Sequence, residues 1–162
     1  MLLYAILLVI HVLSSVVWLG LFPADLILRK SIRDSKGKPE ESKLILTWLK
    51  VLNVGGMIGL TGILLSGILL TIKFDYGFFQ FASGGNHWLY TKQFLMVILI
   101  ILVGAFLIPG AKKISASIKT SLNSPVLDDS FYSNLTKLGV IISVQNFIVL
   151  LNMLLALTRR FF

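Results

Sequence analysis

"YAILLVIHVLSSVVWLGLF", residues 4–22, carries a single basic side chain, His11, in nineteen positions of otherwise apolar, aromatic or small residues. A hydrocarbon core of roughly 30 Å needs about 20 apolar residues in a helix, and this stretch extends from Leu2 to Leu28 before charge accumulates. Three further stretches meet the same demand: Leu44 to Ile72, Trp88 to Pro109 and Leu135 to Thr158. The chain of 162 residues is 56% hydrophobic and 14% charged. Its mean hydropathy of +0.90 lies outside the range of soluble domains. The spans therefore predict an all-α membrane protein, one four-transmembrane-helix bundle over residues 1–162. The expected partner is the lipid bilayer, with homo-oligomers or a larger membrane complex as further candidates.

No charge precedes Asp25, so the start lacks the basic leader of a cleaved signal peptide and the first helix is expected to be retained. Cysteine is absent, which removes disulfides, thiolate metal ligands and thiol nucleophiles. The net charge of +8 is unevenly placed. The segment "RKSIRDSKGKPEESK" after helix one holds Arg29, Lys30, Arg33, Lys36, Lys38 and Lys43, and the segment after helix three adds Lys112, Lys113 and Lys119. Opposite them stand Lys73, Arg159 and Arg160. Basic loops favour the cytoplasm, so both termini are expected on the non-cytoplasmic side, in a membrane such as the bacterial inner membrane. Attraction to anionic lipid accounts for the basicity, and no nucleic-acid partner is expected.

Turn chemistry places connections at Pro39 and at "SLNSPVLDDS", residues 121–130. The segment "KFDYGFFQFASGGNHW" crowds aromatic residues into a short connection. It reads as an interfacial aromatic belt or as a lid over a pocket opening outward. Asn134-Leu-Thr136 matches a glycosylation pattern but falls at the cytoplasmic face.

Helix one places His11, Ser15 and Trp18 on one stripe, with Ser14 beside them. Helix two places Gly55, Gly59, Gly62 and Ser66 on a seam cleared of side chains, suited to tight helix packing or to a flat ligand. In helix three Lys92 lies one turn below Trp88 and Met96 one turn further. The lysine either snorkels to the interface or joins a site. Helix four carries Ser143, Gln145, Asn146 and Asn152, amides and a hydroxyl of the kind that join helices in lipid. Counting from the outer face, His11 sits about 13 Å deep and Lys92 about 6 Å, so a polar pocket open to the outside is the economical arrangement. A neutral imidazole there suits haem iron, provided its second ring nitrogen is oriented by a partner such as Ser14 or Ser15. Zinc or copper would need more ligands than His11, His87 and Met96 supply. A proton relay would need a second acid, and only Asp25 near the inner end is present.

"HVLSSVVWLGLFPADLIL", the basic loop, the glycine-rich second helix and "HWLYTKQFLMVILIILVGAFLIP" together resemble the four-helix membrane proteins that include the HemJ-type protoporphyrinogen oxidases and the CopD-type copper-resistance membrane domain. In the HemJ-like group an early histidine of helix one and a lysine after a tryptophan in helix three are the functional pair, with haem b in the bundle. The resemblance implies haem b or a related tetrapyrrole held by His11, the metal ligand, and by Lys92; the stripe of helix one, the seam of helix two and the face of helix three add Ser15, Trp18, Gly59 and Met96 as candidate cofactor contacts. It also implies an oxidase-like role for Lys92. The last helix departs from that group: "FYSNLTKLGVIISVQNF" has no Glu and no Pro. Uncharacterised relatives whose last helix carries amides, as "NFIVLLNMLLAL" does, look closer. The other class of function is a non-catalytic accessory subunit of a membrane complex, and a small metal-handling or transport protein is a third.

Overall fold

A computed structural model describes residues 2–82, 85–120 and 128–158. Arg159, Arg160 and most of the expected turn at 121–130 lie outside them. The described residues are helical apart from connections: α1 (Leu2–Asp34), α2 (Glu41–Lys73), α3 (His87–Ile101), a wide π-helical segment (Leu102–Leu107), α4 (Ile108–Thr120) and α5 (Asp129–Leu157). The segment from α3 through α4 runs without a break, so four helices are long and apolar enough to cross a membrane. Between 11% and 22% of the residues in their most apolar windows are buried inside the protein. Apolar side chains so largely turned outward are unstable in water and at home in lipid, and the chain is an integral membrane protein.

The helices outrun the apolar stretches that announce them. Helix α1 continues six residues past Leu28, and the third span continues past Pro109 to Thr120. Arg29, Lys30, Arg33, Lys112, Lys113 and Lys119 are therefore helical residues and not loop residues, because backbone hydrogen bonding, unlike hydropathy, does not stop at the membrane surface. The charge asymmetry persists. Arg29 to Lys50 and Lys112 to Lys137 supply the cations of one end, the basic end; Lys73 and Lys92 are those described at the other, aromatic end.

Pro109 explains the wide segment. It has no N–H to continue the ladder and would press its ring on the carbonyl four residues back. Immediately before it, the Ile108 N–H bonds five residues back, to Val103, and the turn widens to fit.

Packing is strongest between α1 and α2, which run antiparallel along their full length, while α5 touches α1, α3 and α4. Helix α3 leans on α5 and barely meets α1 or α2. Two apolar layers fill the interior. At the basic end Ile45, Trp48, Ile114, Phe131, Leu138 and Ile142 pack together. Midway, Trp18, Leu21, Leu99 and Val149 form a smaller layer, with Leu60, Ile63 and Met96 against it. Asp128 caps α5 by accepting the Phe131 N–H at 2.8 Å.

The glycine seam of α2 is filled by α1. A Cβ added at Gly59 would lie 2.8 Å from Trp18 Cβ and 3.3 Å from the Ser14 carbonyl oxygen, and one at Gly62 2.7 Å from Ser14 Cβ. Gly55 meets Leu21 in the same way. Of the two uses expected for the seam, close helix packing is the one observed.

Candidate functional site

Among the described residues the buried polar side chains include Gln145 and Asn146 of α5, and two clusters join helices through hydrogen bonds around an ionisable group. Near the aromatic end, His11 of α1 faces α2, its Nδ1 2.9 Å from Ser66 Oγ. The Nδ1–Cε1 edge rests on Gly67, where a Cβ would lie 3.4 Å from Cε1. The Ser66 hydroxyl donates to the Gly62 carbonyl, as serines in apolar helices do. With its one proton so committed, Ser66 Oγ can accept from the ring, an arrangement that suits the tautomer with its proton on Nδ1 and its lone pair on Nε2; the Ile63 backbone is a further partner of the imidazole.

The orienting partner is thus Ser66, and not Ser14 or Ser15 as expected. Ser15 Oγ bonds back to the His11 carbonyl at 2.8 Å, and Ser14 is buried against Gly62. A hydroxyl one turn along the same helix reaches its own backbone before it reaches a neighbour's ring, which is why a cross-helix residue does the work.

Lys92 lies within electrostatic reach of His11. Its ammonium stands 5.8 Å from the Trp88 ring centroid, and its carbonyl accepts from Asn152 Nδ2 of α5 at 3.3 Å. His11 and Lys92 therefore lie toward the same end of the bundle. Trp18 and Gly59 sit about two turns deeper than His11 and Ser66, and Met96 one turn beyond Lys92, in or against the mid-membrane layer. His87 begins α3.

The aromatic connection folds onto α3. Gln93 Oε1 accepts the Phe79 N–H at 2.9 Å, Gln93 Nε2 donates to the Gly77 carbonyl at 3.2 Å, and Tyr90 Oη donates to the Tyr76 carbonyl at 2.8 Å. Phe79 has φ +55°, a sparsely populated conformation for a bulky residue, held by that Gln93 bond. Rings of Tyr4 and Phe74 meet edge to face at 5.2 Å, tying the connection to the start of α1.

The second polar group lies toward the basic end. Asp25 is fully buried, with Oδ2 2.6 Å from Arg29 Nη2 and Oδ1 accepting Trp48 Nε1–H at 2.9 Å. The guanidinium also donates to the Gly139 carbonyl at 3.1 Å and to Ser143 Oγ at 3.0 Å. One ion pair thereby joins α1, α2 and α5. Sequence reasoning passed over it by placing Arg29 in a loop, although the i, i+4 spacing of Asp25 and Arg29 was a usable signal. Replacing Trp48 with Phe is expected to cost about 1.5–3 kcal/mol, the worth of a hydrogen bond to a charged group, read as a lower thermal midpoint in detergent.

The chain matches no family model, no curated protein and no solved structure. Among the described residues no three His, Cys, Asp or Glu side chains converge on one point.

Proposed function

We propose that this membrane protein binds haem b, or a related tetrapyrrole, toward its aromatic end, where His11 Nε2 would hold the iron. What carries the reading is the Nδ1-donor tautomer: a cross-helix hydroxyl holds the ring and presents the other nitrogen's lone pair. The donor fits iron in haem, which needs only one such ligand from the protein. The glycine seam does not fit the macrocycle, because Trp18, Ser14 and Leu21 fill it. Space for the ring would have to come from the side of α1 toward α3, where the two helices barely meet, and Lys92 would pair with a propionate there. Bound haem supplies one-electron redox chemistry; the family resemblance suggests porphyrinogen oxidation, and membrane electron transfer uses the same parts.

Protein purified from haem-replete cells is expected to show a Soret band. His11→Ala should abolish it, and Ser66→Ala should lower haem affinity by about 10–100-fold, the usual effect of removing a partner that orients a ligand. A colourless preparation overturns the reading.

The alternative class, a non-catalytic subunit, is favoured by one observation: the His11–Ser66 bond also fastens α1 to α2. In that case His11→Ala lowers thermal stability and changes no spectrum.

For orientation, we infer from the excess of Lys and Arg that the basic end faces the cytoplasm, in a membrane such as the bacterial inner membrane, with both termini outside. The absence of cysteine makes the test direct. Lys36→Cys should react with an impermeant maleimide in inverted vesicles and stay unlabelled in intact cells; the reverse pattern inverts the topology.

A further inference from the structure

We propose that the groove between α2 and α4 at the basic end binds an anionic phospholipid, its phosphate held by lysines and an acyl chain lying along the apolar wall. Two adjoining hollows of about 370 and 410 Å³ share Leu46 and Lys50 as lining. Helix α2 contributes Lys43 and Lys50, and the facing α4 contributes Lys112 and Lys119.

Lys50 and Lys112 are the decisive pair. Lys50 stands nine residues into α2 and Lys112 eight residues before the end of α4, so both lie about 12–14 Å along their helices from the basic end. Lys50 falls six residues inside the apolar stretch that begins at Leu44, and Lys112 stands three residues past Pro109, so the two ammonium groups border the hydrocarbon. Their surroundings in the deeper hollow include Leu49, Leu107 and Ile108. Ammonium groups beside such a wall are costly without a counter-charge.

The protein supplies none. No acidic residue lines either hollow, and among the described residues none of the four ammonium groups has a hydrogen bond or ion pair. All seven Asp and Glu are among the described residues; Asp25 is committed to Arg29 and Trp48, and Glu41 to the Gly37 N–H and Tyr132 hydroxyl. Asn53 and Ser115 add neutral donors to the deeper hollow.

Four unpaired cations, two neutral donors and an apolar wall complement a phosphodiester attached to hydrocarbon. A soluble phosphate would make no use of Leu49, Leu107 and Ile108, and a zwitterionic headgroup would bring a second positive charge to the lysines. The wide segment preceding Pro109 shapes this wall, since Leu107 ends it and Ile108 follows directly.

The test uses the full chain in detergent, with dioleoyl phosphatidylglycerol or dioleoyl phosphatidylcholine added, and native mass spectrometry to count retained lipid. Phosphatidylglycerol should be retained in preference to phosphatidylcholine. Lys50→Gln/Lys112→Gln should weaken that retention by about tenfold or more, each lysine near an anionic headgroup contributing on the order of a few-fold. Lys30→Gln/Lys113→Gln removes the same charge at the same end outside the groove and should change retention little. Circular dichroism and elution volume establish that both variants are folded. Equal loss in the two double variants, equal retention of the two lipids, or displacement of phosphatidylglycerol by millimolar glycerol 3-phosphate each overturns the proposal; the last would mark a soluble-phosphate site.

Discussion

Arg29→Ala is expected to destabilise the bundle by about 3–5 kcal/mol, measured as a large fall in the thermal or denaturant midpoint of the purified protein. The cost arises from what remains. Asp25, with no exposure to solvent, keeps one hydrogen bond from Trp48 and loses its counter-charge, while the Gly139 carbonyl and Ser143 lose their donor from α1. Asp25→Leu leaves the mirror problem, an unpaired guanidinium between α1 and α5. The double variant Asp25→Leu/Arg29→Leu should be more stable than Arg29→Ala alone, because apolar replacement removes both charges together. If the two single variants and the double variant all match the parent, the ion pair contributes nothing to holding α1 against α5. The haem reading predicts that these variants keep a Soret band as long as they fold, since the ion pair is separated from His11 by the Trp18 layer.

Gly62→Ala is the second large effect, about 1–3 kcal/mol from overpacking against Ser14. The added methyl meets a side chain rooted directly on the α1 backbone, so the helices must separate for it to enter. Gly59→Val should be worse, because the Ser14 carbonyl as well as Trp18 stands in the way and backbone cannot rotate aside. Gly56→Ala is the internal control. It lies in the same helix with nothing within 4 Å of its added Cβ, and it should be neutral or slightly stabilising through helix propensity. Ser14→Gly should restore much of the loss in Gly62→Ala. Because Ser66 lies one turn from Gly62, separation there also loosens the His11–Ser66 bond, so any Soret band should weaken in Gly62→Ala and not in Gly56→Ala.

The spans were legible because lipid imposes length and composition on a helix, and both survive in the bare sequence. The inward turn of His11 was legible for a related reason: an imidazole sharing its stripe with Ser15 and Trp18 has no place among acyl chains. The partner of that imidazole was not. Ser66 stood in the reading as the last member of a small-residue seam, and only the antiparallel register of α1 against α2 puts it opposite position 11 and not Ser14 or Ser15. Arg29 was lost at a boundary, since hydropathy ended the first helix at Leu28 while the backbone runs on to Asp34. Lys50 was lost for the opposite reason. One charge in a long apolar stretch hardly changes a window average, and its meaning comes from Lys112 on a helix sixty residues away.

The π-helical segment leaves a signature that can be followed through sequences. One additional residue in a turn rotates all that follows by about 100°, so α4 is out of phase with α3 by a single position. Deleting one residue between Leu102 and Leu107 would roll Ile114 and Ile118 away from Trp48 and carry Lys112 off the groove. A homologue that lacks the bulge must therefore hold its counterpart of the Ile114–Ile118 pair one place nearer to its third-helix tryptophan, and that frame shift can be counted without any coordinates.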